Sequence, residues 1–340
     1  MQGIQSDAWT VRPRREDGIA VQFVVPFIVL CILSAGLISW KPLQLSIVTV
    51  FLFAGPHNWM EFRYFLGRMP ARWGRSKLFF SVGLGGVAVL TATYILLYAL
   101  GQSWYLNELT WSAGISVWNT AMLLWLCALV SIKGKQVRGR DWSWIFAAGF
   151  ALCSVAWAAP LLFSLSLVYL HPLVALWFFD RELKRRNAKW RRTYHICLAL
   201  IPVILVMMWS ALAGRPNLDD AGSLSWRITQ HAGAGILSGA SSHLLVATHV
   251  FLETIHYGVW LILIPVTGLG ASVWRISRIP LAVHRNGWPR MIGLILIASA
   301  VVAMVLWTGF AIDYATTRDI YFAFAIAHVL AEAPFLIRML

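Results

Sequence analysis

Eight apolar runs, near 19–39, 42–66, 78–100, 111–132, 193–213, 239–267, 290–312 and 320–340, are each long enough to cross the roughly 30 Å hydrocarbon core of a bilayer as a helix. With 59% hydrophobic and only 12% charged residues over 340 positions, and a mean hydropathy of +0.69, the chain is too apolar for a soluble globular protein. The fold class that follows is an all-α, polytopic membrane bundle forming a single transmembrane domain over 1–340, with a short polar leader over 1–18. Because the first apolar run begins only at Ile19 and is long enough to span, it is expected to stay as the first helix and not to act as a cleaved signal.

One stretch, 142–179, is too long for a single crossing, and Ala158-Ala159-Pro160 interrupts its middle, where proline ends or turns a helix. Charge decides how it is counted. If 142–179 crosses twice, there are about ten helices, and all but four of the 28 basic residues fall on one side, leaving Lys41, Arg215, Arg227 and Arg318 on the other. That asymmetry places both termini and the basic loops in the cytoplasm. The formal net charge of +14 is then a topology signal and a contact surface for anionic lipid, not a nucleic-acid footprint. Cys31, Cys127, Cys153 and Cys197 all lie in apolar segments with no CxxC spacing, and are read as packing residues.

Ionisable groups inside such segments are costly, by at least about 2.5–3.5 kcal/mol each, and so mark function. The chain has six glutamates, and three of them follow a histidine by four residues: His57 and Glu61, His249 and Glu253, His328 and Glu332. His256 stands three residues beyond Glu253, so on a helix His249, Glu253 and His256 share one face. His171 falls in the cytoplasmic half of its helix, and the assumed topology brings all these groups into one layer about 10–15 Å thick. The candidate metal ligands are therefore His57, His171, His249, His256, His328, Glu61, Glu253 and Glu332. Imidazoles with carboxylates and no thiolate suit non-haem iron first, with zinc, manganese or copper as alternatives. For a single His–Glu pair, a local hydrogen bond supporting helix packing explains as much.

Other polar groups have simpler roles. His231 and His243 read as interfacial, His195 and His284 as solvated, and Arg63 as a partner for Asp180 or a snorkelling side chain. Asn58 and Asn119 could support the ligands.

Three stretches carry a family resemblance: Gly55-Pro56-His57 with an acidic residue one turn later, Ala156-Trp157-Ala158-Ala159-Pro160 leading to Leu170-His171, and Ala247-Thr248-His249 followed by Glu253. Together, over about half of the chain, they resemble the Brp/Blh family of membrane enzymes that cleave β-carotene oxidatively to retinal. The resemblance implies an all-helical fold, iron held by membrane-embedded histidines, dioxygen as co-substrate, and His57, His171 and His249 as ligands. The chain departs from the family at Ala175, where a second histidine is expected, and in its additional helices at both ends; His256 or His328 could supply the missing ligands.

These features point to a membrane-embedded non-haem iron oxygenase or oxidase acting on a lipophilic substrate, a carotenoid or other isoprenoid. A haem protein would use only two imidazoles and leave the carboxylates without a role. The alternatives from other classes are a proton-coupled transporter with a His/Glu relay and a non-catalytic membrane assembly factor. No internal repeat favours the transporter.

Overall fold

The computed structural model describes residues 21–102, 107–136, 141–269, 276–284 and 287–339, and the polar leader lies outside them. Among the described residues the chain is helical, with no strand. The helices are α1 (Val21–Trp40), α2 (Pro42–Arg68), α3 (Lys77–Gln102), α4 (Glu108–Gly134), α5 (Trp144–Ala158), α6 (Pro160–Arg186), α7 (Trp190–Leu198), α8 (Leu200–Leu212), α9 (Ser223–His231), α10 (Ser242–Gly258), α11 (Pro280–Val283), α12 (Pro289–Ile312) and α13 (Tyr314–Arg338). Beyond Gly258 the backbone widens into π-helical winding through Val259–Leu263 and Pro265–Leu269, so α10 opens its last span.

Proline sets two of the corners. Lys41 before Pro42 (φ −136°, ψ 65°) and Ala159 before Pro160 (φ −147°, ψ 68°) leave the helical region, as the clash with the proline ring requires. The long run 142–179 is thus divided at Ala159, where the sequence places its break.

Among the described residues, eight helical segments are long and apolar enough to cross a membrane: Val21–Trp40, Gly74–Gly101, Glu108–Gly134, Pro160–Arg186, Trp190–Leu212, Ser242–Thr267, Pro289–Ile312 and Tyr314–Arg338. Ten crossings are expected from sequence. The two remaining elements fall short for different reasons. α2 has 27 residues, but His57, Asn58, Glu61, Arg63 and Arg68 dilute its apolar character. α5 is apolar but only 15 residues long, about 22 Å at 1.5 Å per residue.

Side-chain pairs fix the helix directions. Trp118 and Trp125 donate to the Leu90 and Val82 carbonyls, each at 2.9 Å, so α4 runs against α3. Gly83 and Phe80 meet Pro334 and Phe335, so α13 also runs against α3. Trp59 donates to Leu296 while Gly55 packs on Ala303, which sets α12 against α2. α5 runs against α4, with Trp157 on Thr120 and Gly149 on Cys127. Four helices instead run the same way. His57 and Phe65 face His328 and Phe335 on α13, Phe53 and Tyr64 face Tyr257 and Trp260, and His171 and Phe178 face His256 and Trp260. In each pairing the numbers rise together, so α2, α6, α10 and α13 are mutually parallel. Their contact surface is the centre of the molecule, built around the wholly buried Trp260, Phe178 and Phe251.

Candidate metal centre

Each of the four parallel helices contributes one imidazole to a ring. His57 lies with its ring centroid 5.4 Å from those of His256 and His328, and His171 lies 4.8 Å from His256 and 5.4 Å from His328. Two carboxylates join them. Glu61, one turn beyond His57, forms a set with His57, His256 and His328 whose donor atoms lie mutually within 4.8 Å. Glu332, one turn beyond His328, forms a second such set with His171 and His256, its Oε2 standing 3.3 Å from His171 Nδ1. Parallel helices make this convergence simple, because groups at equal depth on each helix meet at one level.

The donors are buried or half-buried, and several of their polar atoms have no hydrogen-bond partner. Glu61 is 1% exposed, with neither carboxylate oxygen hydrogen-bonded. His256 is 2% exposed and neither ring nitrogen makes a well-formed hydrogen bond; His328 Nδ1 and Glu332 Oε1 are likewise unpartnered. A buried polar atom without a partner costs about 1–3 kcal/mol, so several in one place demand an explanation. His57 is held differently. Its Nδ1 lies 2.9 Å from the Phe53 carbonyl, which takes the N–H and leaves Nε2 with its lone pair. A backbone carbonyl that fixes the tautomer and orientation in this way is the usual support of a metal-bound histidine. Four imidazoles and two carboxylates with free lone pairs fit a first-row transition ion.

Six of the eight candidates, His57, Glu61, His171, His256, His328 and Glu332, come together. His249 and Glu253 do not join either set. They share a face of α10 with His256 as the spacing predicts, but seven residues place His249 about 10.5 Å along the axis from it, beyond the reach of one ligand sphere. They belong to a neighbouring polar string. Tyr257 Oη donates to Glu253 Oε1 at 2.6 Å, and the other Glu253 oxygen stands 4.0 Å from His249 Nδ1. His231 packs its ring 5.0 Å from that of His249, and the Tyr257 ring lies 4.5 Å from that of His57.

His231, the last residue of α9, is half-buried against His249 and Phe322. The α9 helix folds it inward, and burial, reinforced by His249 and Arg318, holds its imidazole well below its ordinary range. Tyr257 was visible in the sequence as the residue four beyond Glu253, whereas His231 lies in another segment with no spacing to tie it to His249.

Several outlying groups are also reassigned. Asp180 takes both Nε and Nη2 of Arg191, at 2.9 and 2.8 Å, and His195 Nε2 at 2.8 Å, so His195 is half-exposed yet paired. His243 Nε2 bonds the Ser39 carbonyl at 3.0 Å where α10 begins, and Asn119 on α4 donates to Ser164 on α6 at 3.2 Å. The four cysteines are free thiols.

A cavity of about 520 Å³ reaches the ring from the side. It lies between α2, α12 and α13, and its inner wall includes Asn58, Glu61 and His328. Its outer rim carries Val302, Ile320 and Phe324, which are exposed on the apolar surface of the bundle. Small residues, Ala325, Ala327 and Ala331, leave the passage open along α13.

No protein family, curated protein or solved structure matches the chain.

Proposed function

We propose that this protein is a membrane-embedded metalloenzyme that uses non-haem iron and dioxygen to oxidise or cleave a lipophilic substrate, a carotenoid or other isoprenoid. The observation that carries the reading is the convergence of His57, His171, His256 and His328 from four helices, with Glu61 and Glu332, in a buried centre whose lone pairs are unmet. Those six residues would hold the iron. When bound, iron supplies the binding and reduction of dioxygen that a carbon–carbon bond of a polyene cannot accomplish with amino-acid side chains alone. The chain's own contribution is orientation, exclusion of water and selection of substrate. The Phe53 carbonyl keeps His57 from rotating, and the packed aromatic rings around Trp260 close the far side of the centre to water. The cavity between α2, α12 and α13 opens onto the lipid-facing surface, and a substrate dissolved in the bilayer would arrive there laterally, its apolar chain along α13 and its reacting segment beside Glu61 and His328.

Orientation follows from charge. The carboxyl ends of α2, α6 and α13 gather Arg68, Arg185, Arg186 and Arg338 into one basic face, where Arg338 bonds the Arg68 carbonyl at 2.6 Å. By the bias of basic residues we place that face, and both termini, in the cytoplasm, against anionic lipid.

The test is elemental analysis of the purified protein together with oxygen-dependent turnover of carotenoids and other isoprenoids. Stoichiometric iron is expected, lost in a folded His57→Ala/His328→Ala double variant along with product formation. A folded wild-type protein that takes up no metal from iron, manganese or zinc would sink the reading. The proton-carrier alternative draws on the string His231, His249, Glu253 and Tyr257; it predicts a function that needs Glu253 and is indifferent to metal.

A further inference from the structure

Among the described residues the six donors fall into two sets, His57, Glu61, His256 and His328 on one side and His171, His256 and Glu332 on the other, each with donor atoms mutually within 4.8 Å. His256 alone belongs to both. Neither of its ring nitrogens makes a well-formed hydrogen bond, although it is 2% exposed. His57, which belongs to one set only, spends Nδ1 on the Phe53 carbonyl, and His171, in the other set only, has Nδ1 3.3 Å from Glu332 Oε2. A histidine meant for one ion needs one free nitrogen and is steadied through the other; His256 stands in both sets with neither nitrogen in a well-formed hydrogen bond.

The carboxylates are divided in the same way. Glu61 belongs to the first set and Glu332 to the second. Each set thus carries one buried carboxylate, beside which one cation would be held.

We infer that the centre holds two metal ions, one in each set, with His256 shared between them. The inference rests on the metalloprotein reading above and adds the nuclearity of the site. An imidazole bound through both nitrogens does so as imidazolate, its N–H proton leaving when the second ion binds. The imidazolate and the two carboxylates together offset most of the charge of two divalent ions. Two ions held by shared protein ligands are a recurrent arrangement in helical bundles that present Glu and His from facing helices.

The experiment loads the detergent-purified, full-length protein with iron or with manganese and reads metal per chain by elemental analysis, and magnetic coupling of the manganese form by electron paramagnetic resonance. About two equivalents are expected, in keeping with two-metal centres, with the signal of an exchange-coupled pair. Glu332→Gln and Glu61→Gln are each expected to retain about one equivalent, giving the signal of an isolated ion; both are near-isosteric, and a melting curve with the wild-type shape confirms that they fold. One equivalent in the wild type, emptied by either Gln variant, would overturn the shared-site inference and leave a single ion bound by all six residues, with the metalloenzyme reading intact. No uptake of either metal by folded wild type would instead overturn the metalloprotein reading itself.

Discussion

His256 is an expensive residue in the absence of a ligand. Its imidazole is packed between His57, His171 and Tyr257, and neither nitrogen makes a well-formed hydrogen bond. Replacing a buried, unpartnered polar ring by an apolar side chain of similar bulk removes a penalty of about 1–3 kcal/mol. The metal-free His256→Leu variant is therefore expected to be more stable than metal-free wild type by roughly that amount, measured by thermal unfolding in chelator. With metal present the order should reverse, since only the wild type gains ligand-binding energy. If the leucine variant is less stable in chelator, the ring owes its place to packing, and the metal argument loses its main support. Residue identities were legible in the sequence because His and Glu four apart in apolar runs are conspicuous. What the pattern could not convey was depth along the axis: His249 and His256 share a face, yet only His256 reaches the layer where His57, His171 and His328 lie. The pairing of His231 with His249 depends on how α9 folds back, which no local spacing encodes.

At the scale of the helix, the site depends on four elements that share a direction, and that direction is set by the corners between them. Proline announces two of these, at Lys41 and Ala159, and the reversal at Ala159 was legible for that reason. The parallel set α2, α6, α10 and α13 was less so. An even number of crossings between their starts implies it, but which helices then touch is decided by packing, such as the stacking of Phe65 on Phe335 at 4.4 Å. The corner into α13 has no proline. There Asp313 (φ −144°, ψ 94°) caps the helix, its Oδ1 accepting the Thr316 N–H at 3.1 Å. Hydrogen bonds from Thr316 hold this carboxyl below its ordinary range. A carboxyl whose folded pKa lies below its unfolded value adds stability above about pH 4 and loses it as pH falls through the folded value. Asp313→Asn keeps the cap geometry without the charge. The variant should therefore melt below wild type at neutral pH, and the gap should close as pH drops through the carboxylate range. A gap independent of pH would show that the charge contributes nothing at this corner.

The whole molecule is polarised along its axis and open at its side. One end gathers Arg68, Arg185, Arg186 and Arg338 around the buried carboxylate of Glu182, to which Arg68, Arg185 and Arg186 are paired, and Tyr64 adds a hydrogen bond at 3.1 Å. This cluster ties the ends of α2, α6 and α13 together on the side of the centre toward which all four histidine-bearing helices run. The basic loops foretold such a face, but the cavity between α2, α12 and α13 was not foreseeable, because it arises from small side chains on α13 lying opposite Phe62 and Leu306. That passage separates two roles that a variant can split. Ala331 lines it without belonging to either set of donors. Ala331→Trp would fill a large part of its inner end, so metal content and melting temperature should stay near wild type while turnover of long isoprenoids falls by at least about tenfold, equivalent to about 1.4 kcal/mol in the barrier. A short isoprenoid that need not occupy the full length should be affected less, and the loss should appear chiefly as weaker apparent binding. If long and short substrates are slowed alike with metal retained, the substrate reaches the centre by another route, and the opening along α13 is a lipid-filled gap between helices.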